Sequence, residues 1–107
     1  MSWTISKEEK YSLYVPEVTA ESDPMKAFAQ LEPSDHKIID ARSIDFSDAL
    51  KHFVSSVYEA HVEQQKSFIV VVKSMSLMEQ LEELFIVVPT VSEAIDYLYM
   101  EALERSV

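Results

Sequence analysis

The sequence predicts an α/β domain, a mixed sheet of about five strands with helices packed on it, in the order β-β-α-β-α-β-α-β-α. Three observations predict it. Two runs, Phe68–Val72 and Leu84–Val88, are apolar at every position, as strands buried on both faces are. Around these runs the apolar residues recur instead at helical spacing. The helical stretches open on Ser, Thr or Asp, the residues that satisfy the free N–H groups of a first turn. Residues 1–107 are expected to form one domain.

Trp3–Ser6 reads as a short strand and Lys10–Val15 as its antiparallel partner, with Tyr11, Leu13 and Val15 alternating along it. Pro16 is expected to end that strand's hydrogen bonding. Ser22-Asp23-Pro24 offers a helix start with proline in the first turn, and Pro33 stops the helix. His36–Ala41, carrying Ile38 and Ile39, is a buried strand with Asp40 near its C-terminal end. From about Phe46 to Gln64, Leu50, Phe53, Val54, Val57 and His61 recur at helical spacing, with Asp45 as the expected cap and Asp48 in the first turn.

Ser67–Val72 is the expected central strand. Ser76-Leu77-Met78-Glu79 reads as a capping box opening a helix through about Leu84. Phe85–Val88, closed by Pro89, is the last strand, and Thr90-Val91-Ser92-Glu93 caps a helix whose buried stripe is Val91, Ala94, Ile95, Leu98 and Ala102. From His36 onward, strand and helix alternate, which implies parallel strands joined by right-handed crossovers.

Composition removes whole classes of function. There are no cysteines, so disulfides, thiolate metal sites and cysteine nucleophiles are impossible. There are no glycines, where average usage gives about seven, so phosphate-cradling glycine loops and the G-x-S-x-G elbow are missing. Nine Lys and Arg against nineteen Asp and Glu leave a formal charge of −10, which opposes binding to nucleic acid or to an anionic membrane. No apolar run approaches the roughly 20 residues of a membrane span, and no signal-peptide core is visible at the N-terminus; a cytoplasmic location is expected.

No metal site and no cofactor are expected. His52 and His61 lie nine residues apart, about half a turn out of phase on one helix, and His36, His52 and His61 are read as surface or helix-edge residues. Glu79, Glu82 and Glu83, and likewise Glu93, Asp96, Glu101 and Glu104, read as solvated helix faces. Tyr97, Tyr99 and Met100 read as packing or interface residues. Asp40 and Lys73 each follow a parallel strand's apolar run, where open α/β sheets place their sites, as response-regulator receivers do. A receiver needs a further acidic pair after its first strand, and the residues after Val15 are Pro16, Glu17 and Val18.

The segment from Ile39 to Leu50 resembles a family. Asp40, Ile44, Phe46 and Asp48 match without a gap the strand end, β-branched residue, aromatic and acidic residue of STAS domains. These are the modules of sulfate transporters and anti-sigma-factor antagonists. Phe85–Val88 followed by Pro89-Thr90-Val91-Ser92-Glu93-Ala94-Ile95 resembles the family's last strand and the start of its last helix. The family's serine position falls on Ala49 and its glycine position on Lys51. In signalling members that serine is phosphorylated to break the complex with an anti-sigma kinase, and Ala49 has no hydroxyl; Ser47 substitutes only if the register shifts.

The resemblance implies a STAS-like fold and a bacterial, non-catalytic regulatory module that binds another protein, either an anti-sigma-factor-like kinase or a larger enzyme. Its docking surface would comprise Phe46, Ser47, Asp48, Ala49, Lys51 and His52. Two other readings stay open. One is a small enzyme or receiver-like regulator using Asp40, Asp48 and Lys73; the other is a structural subunit, as a homodimer or an accessory to a larger enzyme.

Overall fold

The computed structural model describes residues 2–17 and 22–106. Along the chain run β1 (Ser2–Lys7), β2 (Ser12–Glu17), α1 (Pro24–Ala29), β3 (Lys37–Asp40), α2 (Asp48–Glu63), β4 (Phe68–Val71), α3 (Met75–Leu81), β5 (Ile86–Val88) and α4 (Val91–Arg105). The five strands form one mixed sheet in the order β1-β2-β3-β4-β5. β1 pairs antiparallel with β2, and β2 through β5 are parallel.

Each new strand joins on the same side of the last. Crossovers of one hand then place their helices on one face, and α1, α2 and α3 do share a face. Their Phe28, Leu50, Val54 and Leu81 pack on Tyr14, Ile39, Phe68 and Val70. α4 closes the opposite face, where Ala94 and Leu98 cover Ile38, Ile69 and Val71. Adjacent residues of β3 and β4 therefore feed different layers, and this is why β4 reads as an unbroken apolar run and β3 carries Ile38 and Ile39 side by side. β4 lies between β3 and β5, and all four of its residues are buried. A single tryptophan fastens β1 to α1: its indole N–H donates to the Ala27 carbonyl at 2.9 Å and its ring meets Phe28 edge-on at 5.3 Å.

Several local expectations are corrected. β2 runs through Pro16 to Glu17; its pairing with β3 ends at Tyr14, so beyond that point the strand has a neighbour on one side only and tolerates a residue without an N–H. The cap of α2 is Ser47, not Asp45: its backbone is extended and its hydroxyl accepts from the Leu50 N–H at 3.1 Å. The cap of α3 is Ser74, not Ser76, accepting from the Leu77 N–H at 3.0 Å. α3 stops at Leu81 because the N–H groups of Leu84 and Phe85 both turn back to the Leu81 carbonyl before the chain enters β5. At the start of α4, Thr90 accepts from the Glu93 N–H at 3.1 Å.

With no glycine in the chain, α2 ends on a glutamine held in the left-handed region. Gln65 has φ 59°, its N–H donates to Val62, and the next N–H, of Lys66, reaches back to His61. That pair of bonds closes a helix end that glycine usually occupies.

Candidate functional site

The C-terminal ends of the parallel strands and the starts of the helices that follow share one edge of the sheet, where open α/β sheets place their sites. The loop from β3 to α2 crosses this edge. It leaves the sheet with the Ala41 N–H still bonded to the Val71 carbonyl at 2.9 Å, then turns as the Ile44 N–H bonds back to Ala41. Ile44 is buried and anchors the loop; Phe46 is half-buried, its ring 6.4 Å from that of Phe85. Leu50 points into the core at 2% exposure. Asp45, Ser47, Asp48, Ala49 and His52 are left exposed, and the Asp48 side chain is 95% accessible. Lys51 is drawn inward, donating to Gln80 on α3 at 2.8 Å and lying 3.4 Å from Asp48, so it braces α2 against α3.

The six residues expected at the docking surface are thus contiguous, and they divide into two jobs. Phe46 and Lys51 hold the turn in place, while Ser47, Asp48, Ala49 and His52 face outward. Ser47 Oγ is already engaged as the helix cap.

Asp40, Asp48 and Lys73 do not converge. Arg42 grips Asp40 with two parallel bonds of 2.8 and 2.7 Å, and its backbone N–H adds a third contact at 3.3 Å. The Arg42 guanidinium, more than partial burial, sets the carboxyl's behaviour and holds it below the usual aspartate range. Among the described residues, no hydrogen bond or ion pair links Asp40, Asp48 and Lys73. Lys73 instead borders a shallow depression of about 350 Å³ with Arg42, Asp45 and Ser74. A proton-transfer or phosphoryl-transfer site needs its groups within hydrogen-bond reach of one reacting atom, whereas Asp40 is held by Arg42 and Asp48 lies against Lys51. Among the described residues, no group of three or more His, Asp or Glu side chains is placed to hold a metal ion.

The strongest cluster of titratable groups lies toward the opposite edge, and the sequence reading passed over it. Lys37, the first residue of β3, is 1% exposed. Its ammonium donates to the Glu32 carbonyl, to Asp35 Oδ1 and, at 2.9 Å, to His61 Nε2. Three protons meet three acceptors. His61 is fully buried, not at a surface or helix edge as expected. Its Nδ1 lies 2.8 Å from the Val57 carbonyl, which assigns the ring proton to Nδ1 and leaves Nε2 to accept. Tyr14 completes the chain, its hydroxyl donating to Asp35 at 2.8 Å.

Burial dominates here. It pushes the Lys37 ammonium below its ordinary value, with Asp35 opposing, and pushes His61 down, with the Val57 carbonyl opposing. Burial alone would raise Asp35, but the hydrogen bonds from Lys37 and Tyr14 outweigh it and hold the carboxyl low. Tyr14 is raised, first by burial and then by its bond to Asp35. Every member has a partner, and the cluster ties the α1–β3 loop, β2, β3 and α2 together. The one sequence signal was His61 falling in register with Leu50, Val54 and Val57.

Compared with known proteins, the chain matches no family model and no curated sequence. No described helix is long and apolar enough to cross a membrane.

Proposed function

We propose that the chain is a non-catalytic protein-interaction module, similar in arrangement to an anti-sigma-factor antagonist, whose partner docks on the start of α2. The observation that carries the reading is the exposed, rigidly braced first turn of α2, with Ser47, Asp48, Ala49 and His52 outward and Phe46, Leu50 and Lys51 securing it from behind. A docking surface needs such a fixed, solvated helix start and no convergent catalytic groups. The sequential strand order, with three helices on one face and the last on the other, supports a STAS-like reading of the architecture. The partner is another protein, a kinase of the anti-sigma type or a larger enzyme, and a cytoplasmic location accords with it.

The serine switch is absent from this reading. Ala49 stands at the switch position, and Ser47 Oγ caps the helix. A phosphate of about −2 charge on Ser47 would also meet Asp45 and Asp48, offsetting its attraction to the helix N-terminus. Binding is then constitutive or set by abundance.

Pull-down from the native cell with Asp48→Lys and Ser47→Ala, together with phosphopeptide mapping, tests this. Asp48→Lys is expected to weaken capture at least about tenfold. Ser47→Ala should leave capture unchanged while lowering stability by about 1 kcal/mol. Capture insensitive to Asp48→Lys, capture abolished by Ser47→Ala, or stoichiometric phosphate on Ser47 would each overturn the reading.

A further inference from the structure

The outer face of α4 carries an apolar cluster that neither the core nor the α2 surface uses. Tyr97, Tyr99, Met100 and Leu103 are 39%, 46%, 60% and 68% exposed, and they are four of the eight large apolar side chains exposed among the described residues. Single exposed apolar residues are ordinary, whereas a cluster on one helix marks a contact surface. At about 100° per residue, Tyr99, Met100 and Leu103 fall within roughly 100° of arc, turned away from the buried Ala94 and Leu98. With Ala102 and Lys10 of the β1–β2 turn, Tyr99 and Leu103 line an open depression of about 510 Å³.

The fold explains why this face is left open. α4 alone covers its side of five strands: a helix is about 10 Å wide, while five strands at roughly 4.8 Å spacing span about 19 Å. Tyr11, just before β2, and Leu13 on β2 are accordingly only part-buried beside it. The last turn of α4 also reaches back past the start of β4, where the Arg105 guanidinium donates to Ser67 Oγ at 3.1 Å.

Charge selects the occupant. Asp96, Glu93 and Glu104 are exposed along the Met100 side of the cluster, Glu101 is half-buried beside Tyr97, Lys10 lies on the Ala102 side, and Arg105 is the only cation on the helix. A second copy placed face to face would set four carboxylates against four, in a chain already at −10. We propose that this face of α4 docks an amphipathic helical segment of another protein, with apolar anchors at i, i+3, i+4 and i+7 and Lys or Arg along the flank that meets these carboxylates. It lies on the opposite face of the sheet from α2 and does not rest on the α2 reading; the chain would hold two partners at once.

The probe is a synthetic helical peptide of about 16 residues with Leu at those anchor positions and Lys elsewhere, beside a second peptide carrying Glu for Lys. Each is titrated into the full chain near 0.15 M salt, with amide shifts and calorimetry as readouts. The Lys peptide is expected to bind saturably, shifting Tyr99–Leu103. Met100→Ser with Leu103→Ser should weaken it at least about tenfold, since the anchors of an interface carry most of its affinity. Asp48→Lys should leave it unchanged, and both substitutions lie at exposed positions that folding does not need. Absent saturable binding, equal binding of the Glu peptide, affinity indifferent to the double substitution, or a dimer that the double substitution dissociates would each overturn the proposal.

Discussion

Replacing Lys37 with Met tests how much of this small domain hangs on one buried polar chain. Met matches the length of the aliphatic stem but removes every proton that Glu32, Asp35 and His61 share. Removing one partner of a buried charge network costs about 3–5 kcal/mol, because the other partners stay behind unpaired. Here the lower end applies. The Asp35 side chain is 31% accessible, so water partly replaces the lost ammonium, whereas fully buried His61 Nε2 has no such recourse. Lys37→Met is therefore expected to cost about 3 kcal/mol, a large share of the roughly 5–15 kcal/mol that holds such a domain together.

Urea unfolding followed by tryptophan fluorescence measures it, with the melting temperature falling by roughly 10–15 °C. Asp35→Asn and His61→Leu added to Lys37→Met should recover more than half the loss, since exchanging a whole buried network for apolar packing is often neutral. If Lys37→Met lies within about 0.5 kcal/mol of the parent, or the triple variant is no better than the single, the network argument is wrong.

Two further outcomes follow from the same structure. His61 and His36 are both held below 6.5, mainly by burial, so the unfolded chain takes up their protons first; stability is full above about pH 6.5 and falls as pH drops below it. Asp35 and Asp40, held below 3.8, add a second loss below about pH 4, and urea midpoints between pH 8 and 3 should show both steps in that order. Gln65→Gly should stabilise by about 0.5–1 kcal/mol in the same urea assay, because glycine takes φ 59° without the steric penalty that glutamine bears.

Local pattern alone determined much of the secondary structure. Phe68–Val71 had to be an inner strand, because a run apolar at every position is useful only where both faces are covered. The helical recurrence from Leu50 to His61 had to be one long helix, and Asp48 had to lie in its first turn. Capping was less legible. Asp45 and Ser47, or Ser74 and Ser76, are chemically equal candidates, and the choice depends on where the preceding strand releases the chain.

Tertiary structure decided the rest. Nothing near Lys37 in sequence says that its ammonium is buried, because two of the groups enclosing it, Tyr14 and His61, lie 23 and 24 residues away and meet only when β2, β3 and α2 pack. Likewise, Asp40 ends β3 and Lys73 follows β4, yet a neighbouring arginine claimed the aspartate, an outcome that spacing does not encode. The apolar outer face of α4 is written in the sequence as Tyr99, Met100 and Leu103. Only the placement of one helix over five strands shows that nothing else in the described chain covers it. Periodicity is a property of one element, whereas burial and pairing belong to several elements at once.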